Sequence, residues 1–209
     1  MESFGITIIS IIAILFSFET LIVSAHTQCI GSCKKATIKG DGTQLLTGFC
    51  SSLIQGQIPS VEHMVSALII NPTYGQKIEA NTPFTIEVKV KNLETGFSSE
   101  QTTEFYTSPQ ELNDEGIIKG HSHIVIQKLN DEEVPDATTF AYFQGLNDEA
   151  NNDVLSTTVE LGLFEPGLYR LCTMCSSFSH QPVIMPREQR GAQDDCIRFE
   201  VISEILEDL

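Results

Sequence analysis

Tryptophan is absent from this chain, and cations are scarce. Lys and Arg number 12 against 28 Asp and Glu, for a formal charge of −16 over 209 residues. A chain so short of Lys and Arg has little with which to neutralise nucleic-acid phosphates or to hold an anionic lipid surface. No Gly-x-Ser-x-Gly elbow is present, so a serine hydrolase finds no support. No Gly-rich phosphate loop and no Asn-x-Ser/Thr sequon occur either, which removes nucleotide chemistry of that kind and N-glycosylation. Helical periodicity is missing throughout, and there is one long apolar run.

That run, Ile6 to Val23, ends in Val23-Ser24-Ala25. Its length and small-residue close read as a secretory signal peptide over 1–25, although it lacks the usual basic start. No other segment is long and apolar enough to span a membrane once this one is cleaved. Removing Glu2 and Glu19 leaves a formal charge of −14, starting at His26. The six cysteines, Cys29, Cys33, Cys50, Cys172, Cys175 and Cys196, all lie beyond the leader. An even number in an exported chain favours disulfides over thiols. Sequence cannot choose among the pairings. The expectation is one bridge within 29–50, one joining Cys172 or Cys175 to Cys196, and a third tying the N-terminal arm to the C-terminal strands. Cys172-x-x-Cys175 as half a zinc site is the weaker reading, for want of a second ligand pair nearby.

Residues 26–60 are rich in Gly, Ser and Thr and predict an irregular, disulfide-tethered arm. Beyond it, over 61–203, short strands alternate with turn signals. Phe84, Ile86, Val88 and Val90 alternate with Thr85, Glu87, Lys89 and Lys91, the period of an antiparallel strand with one wet face. Val65–Ile70, 119–129, the aromatic run Phe140–Phe143, Val154–Leu161, Leu168–Met174 and Cys196–Ile202 add further strands. Turns stand at Asn71-Pro72 and Glu165-Pro166-Gly167. About seven strands of this kind predict an all-β, immunoglobulin-like antiparallel sandwich, with Phe84, Phe140, Phe143 and Phe199 in its core. Residues 204–209 form an acidic tail.

The stretch Gly116 to Leu129, GIIKGHSHIVIQKL, carries the chemistry. Residues two apart on a strand share a face, so His121 and His123 point one way and Ser122, Ile124 and Ile126 the other. His180 lies in a later loop that a sandwich can bring near. Gln181, Gln189, Arg190, Gln193, Asp194 and Asp195 follow as a polar cluster, in which Arg and Asp can pair and pin a loop. These residues read in two ways. The first is structural: histidines bonded to carbonyls, Arg190 paired with an aspartate. The second is a site, either a metal centre of His121, His123 and His180 holding copper or zinc, or a polar cleft for a sugar or peptide. Cleavage after Ala25 adds a sharper variant. A terminal His26 would chelate copper through its amine and imidazole, as in secreted copper oxidases that attack polysaccharides.

The segments GQIPSVEHMVSALIINP, NLETGF, SPQELNDEGIIKGHSHIVIQKL, FAYFQGLN and HQPVIMPREQRGAQDDCIRF resemble a family of small secreted fungal proteins of unassigned activity. The likeness runs from Gln55 to Val201. Its pattern falls here on Gly120, His121, His123, His180, Gln181, Arg190, Asp194 and Asp195. It implies that Cys172, Cys175 and Cys196 are staples rather than catalysts. With no complete catalytic set, the leading expectation is an extracellular binding or structural protein of the cell surface, wall or host interface. Its partner would be a wall polymer or another extracellular molecule. A copper- or other metal-dependent protein is the alternative.

Overall fold

The computed structural model describes residues 41, 43, 55–130 and 133–203. The expected leader, His26, Cys29, Cys33, Cys50 and the acidic tail lie outside the described residues. After a short 3₁₀ turn at Val61–His63, nine strands follow among the described residues. They are β1 (Ser66–Asn71), β2 (Lys77–Glu79), β3 (Phe84–Lys91), β4 (Leu93–Glu94), β5 (Ile118–Lys128), β6 (Tyr142–Leu146), β7 (Val154–Val159), β8 (Gly167–Ser177) and β9 (Cys196–Ile202). One sheet has the order β1-β3-β7. The other runs β2-β9-β8-β5-β4, with β6 added beside β5. Among the described residues no helix is long and apolar enough to cross a membrane.

The alternating pattern of β3 puts Ile86, Val88 and Val90 in the core. There they meet Ile124 and Ile126 of β5, Leu171 of β8, and Ile197, Phe199 and Val201 of β9 from the opposite sheet. Each such side chain contributes about 1.5–3 kcal/mol on burial. Phe199 is the central ring, with Tyr169 at 5.8 Å and Phe84 at 5.9 Å. The sandwich is therefore all-β and mainly antiparallel. Two short parallel pairings, β2 with β9 and β4 with β5, extend the large sheet. Strands of three and two residues are too short to show a period in sequence.

The structure corrects three expectations. Phe140 and Phe143 do not fill the core: they are 57% and 41% exposed, because Phe143 lies opposite Val125 on the outer face of β5 and Phe140 precedes β6 and packs against Phe143 at 5.9 Å. Among the described residues Arg190 pairs with no aspartate. Its guanidinium donates to the Arg187 carbonyl at 2.6 Å and to Gln193 Oε1 at 3.3 Å, closing its own exposed loop. Finally, Cys175 is not a staple but a free, buried thiol, while the expected bridge to Cys196 is made by Cys172. Register explains that choice. Cys172 and Cys196 are directly opposed across β8 and β9, with Cα atoms 4.1 Å apart. Cys175, an odd number of residues along, faces inward among Val65, Leu93, Ile118 and Val183. Burial there pushes its thiol pKa well up, and the neighbouring Asp194 adds to the effect.

The two sheets are also latched by the polar run before β9. Asp195 Oδ2 accepts the Ile69 N–H at 2.9 Å and the Gln193 carbonyl accepts the Ala67 N–H at 3.0 Å, both on β1. Asp194 Oδ1 accepts the Cys175 N–H at 2.6 Å and the Thr173 hydroxyl at 3.2 Å, both on β8. Asp194 and Asp195 thus tie the small sheet to the large one.

Candidate metal centre

Strand β5 is buried on both faces over much of its length. Its inner face packs in the core. Its outer face carries His121, His123 and Gln127, and around the histidines it is covered by loop segments near 97–106 and 177–181. The β5–β8 contact is close at this point. A Cβ on Gly120 would stand 2.0 Å from the Ser176 carbonyl oxygen, so only glycine lets the strands pack beside His121.

His121 is fully buried. Its Nδ1 lies 3.0 Å from the Phe97 carbonyl oxygen. A carbonyl only accepts, so Nδ1 carries the hydrogen and Nε2 presents a lone pair. His180 follows β8 in a left-handed conformation with φ 71°, a region that His enters only in tight turns. Its Nε2 lies 3.0 Å from the Ser99 carbonyl oxygen, so by the same logic its Nδ1 presents the lone pair. That Nδ1 is 3.1 Å from His121 Nε2. In the neutral tautomers that the two carbonyls select, two lone pairs face each other. A hydrogen bond across the gap needs a proton on one of the two facing nitrogens, and burial, followed by the charge of His123, holds the His121 pKa down to about 3, so His121 does not supply it.

His123 closes the triangle. Its ring centroid lies 4.7 Å from that of His121 and 5.4 Å from that of His180, and its Nδ1 is 3.5 Å from Ser176 Oγ. Burial, and then the charge of His180, lowers its pKa to about 4. One nitrogen from each ring lies within 4.8 Å of the others. Around an ion with metal–nitrogen bonds of about 2.0–2.1 Å, tetrahedral ligands stand roughly 3.4 Å apart. The His121–His180 gap already has that size, and His123 needs only a modest inward swing. Phe143 stacks on His123 at 5.4 Å and Phe105 on His180 at 5.9 Å. Two cavities open beside the triad. One, about 330 Å³, is bounded by Ser99, Glu100, Phe143 and Asn147. The other, about 380 Å³, is bounded by Phe105, Tyr106, Met174 and Pro182. Both reach His123 and His180, while the fully buried His121 lines neither.

The His180 turn is held by Gln181, whose Oε1 accepts the Ser177 hydroxyl at 2.6 Å and the Ser179 hydroxyl at 3.1 Å. Its Nε2 donates to the Ser108 carbonyl at 2.7 Å. Gln110, 1% exposed, braces the same side through the Gln57 and Ile184 carbonyls and the Ile184 N–H. Gln181 is therefore a positioning group. Asp194 and Asp195 serve the sheet latch and do not join the triad, and Gln189 and Arg190 are exposed on their own loop. His26 lies outside the described residues. Sequence reasoning missed the Phe97 and Ser99 carbonyls, Phe105 and Phe143 as ring walls, and Met174. The aromatics in the polar 94–113 connection were the available signal for the first group, while Met174 required the strand register.

The model of the CLU5d N-terminal domain matches residues 67–202. Pathogenicity cluster 5 protein d of Colletotrichum graminicola is 41% identical over 166 residues, covering 77% of this chain. The chain spans about a third, 34%, of that relative's length. Among solved structures, a CARDB domain from Pyrococcus furiosus crystallised with di-metal ions is 10% identical, with TM-score 0.33, over 72% of this chain and 100% of that one. Superoxide reductase (neelaredoxin) from Ignicoccus hospitalis is 12% identical, with TM-score 0.30, over 66% of this chain and 80% of that one. Likenesses of that size say nothing about this chain's activity. The family match covers most of the sandwich and the sequence match is strong, and both support the fungal resemblance. The chain belongs to the CLU5d N-terminal domain family.

Proposed function

We propose that this domain is a secreted, disulfide-stabilised binding module of the fungal surface, wall or host interface, and that its working site is a transition-metal centre of His121, His123 and His180. The observation that carries the metal reading is the 3.1 Å approach of His121 Nε2 to His180 Nδ1, with both other ring nitrogens facing carbonyl oxygens. Two lone pairs so placed repel, and a cation between them turns the contact attractive. Imidazole donors suit copper and zinc. His123, its pKa lowered to about 4, supplies the third donor. The name of the fungal relative fits a host-facing setting. A leader over 1–25 fits export, and the Cys172–Cys196 bond fits an oxidising compartment.

The test is metal titration of protein first stripped with chelator. One copper or zinc ion per chain is expected, and His123→Ala should weaken binding by about 10- to 100-fold or more, since a direct ligand counts for at least as much as its supporting partners. A chain that takes up neither ion, or a variant with the wild-type isotherm, leaves a structural histidine cluster. The search would then move to wall polymers and protein partners.

A further inference from the structure

His123 and Met174 are directly opposed across β5 and β8. Residues so paired lie on the same face, with Cβ atoms about 4.5–5.5 Å apart. Met174 therefore stands on the outer face beside the triad, whereas the inward neighbours Thr173 and Cys175 do not. It is 38% exposed and belongs to neither hydrophobic core cluster. Its side chain borders the cavity of about 380 Å³ that also reaches His123 and His180. The other walls there include Phe105, Tyr106, Phe143 and Pro182, so this approach to the rings is mostly apolar. The triad itself includes no carboxylate. A methionine chain is long, unbranched and flexible, and it can swing its sulfur toward an ion held on the ring opposite. Thioether sulfur is a soft donor that favours monovalent copper, while zinc sites are built from thiolate, imidazole and carboxylate.

Building on the metal reading above, we infer that Met174 is the fourth ligand of the centre and that the site selects cuprous copper over zinc. Three imidazoles alone serve either metal. The sulfur supplies the preference, in a cavity whose lining is mostly apolar, with Gln101, Ser176 and Asp194 also on its wall.

The experiment uses the whole secreted chain under anaerobic conditions, titrated separately with Cu(I) against a chromophoric chelator and with Zn(II). Met174→Leu preserves volume, and such swaps cost little stability. It should weaken Cu(I) binding at least about tenfold and leave Zn(II) binding within about twofold. Equal losses for the two ions, or no loss of Cu(I) affinity, overturn the inference. A second measurement needs no variant. X-ray absorption at the copper edge of selenomethionine-labelled, Cu(I)-loaded protein should show a selenium neighbour, and a shell of nitrogen alone overturns the role of Met174. That result leaves the three-histidine site standing, whereas failure to take up either ion overturns both readings.

Discussion

Replacing Gly120 with alanine tests the packing on which the centre depends. The added Cβ would stand 2.0 Å from the Ser176 carbonyl oxygen and 3.0 Å from its carbonyl carbon. Both atoms are backbone of β8, locked into register with β5 by the ladder from Gly120–Ser177 to Lys128–Tyr169. No rotamer change relieves such a clash, so the strands must separate by about 1 Å or more to restore ordinary contact. Overpacking of this kind costs about 1–3 kcal/mol, occasionally more, and a backbone obstacle places this case at the upper end. For a domain of this size about 1 kcal/mol corresponds to 2–4 °C in Tm, so Gly120→Ala should lower Tm by roughly 6–12 °C. The control is Gly191→Ala, where a Cβ meets nothing within 4 Å and the change should stay within about 0.5 kcal/mol. Because Gly120 adjoins His121, metal affinity should fall in the first variant and hold in the second. Thermal melts by circular dichroism provide the readout. A Gly120→Ala protein that melts with the wild type would refute both the close approach and the argument built on it.

Removing the Cys172–Cys196 bridge with paired serines opens a sequence separation of 24, which in the chain-entropy model costs about 3–4 kcal/mol. Denaturant titration checks this, and an unchanged midpoint would contradict it. Gln181→Ala frees the Ser177 and Ser179 hydroxyls and the His180 turn, so it should weaken metal binding by about tenfold although Gln181 touches no ion. Equal affinity in the two proteins would remove its positioning role. Metal-free protein should also lose stability in acid. The folded pKa values of His121 and His123 are depressed to about 3 and about 4 from an ordinary 6.5, so the unfolded chain binds more protons below pH 6.5. Stability is then complete above that pH and falls toward pH 4 by up to about 1.4 kcal/mol per pH unit per histidine. Urea titrations at pH 7 and 5 of wild type and a His121→Asn, His123→Gln double variant would show this as a difference in slope. Parallel slopes would rule it out.

Much of the fold was legible because a strand's period of two needs no knowledge of its partners. Phe84 to Lys91 and Cys196 to Ile202 declare their inward residues by alternation alone, and Asn71-Pro72 and Glu165-Pro166-Gly167 mark breaks. His121 and His123 were certain to share a face of their strand for the same reason. Alternation fails where both faces are covered, as along β5, where the outer face carries a buried histidine instead of a wet residue. It also fails in β2 and β4, too short for any pattern.

Local rules, then, determined the longer strands, the all-β class and the two-residue spacing of the histidine pair, and composition determined the acidic balance. Tertiary structure decided what that pair meets. Register across β8 chose Cys172 over Cys175 for the bridge and set Met174 opposite His123. The turn after β8 brought His180 Nδ1 to 3.1 Å from His121 Nε2, and the Phe97 and Ser99 carbonyls fixed which nitrogens face each other. Those contacts join residues 24 to 81 positions apart. Side-chain period is a property of one strand, whereas the meeting of distant loops depends on how two sheets and their connections pack, which no local pattern encodes.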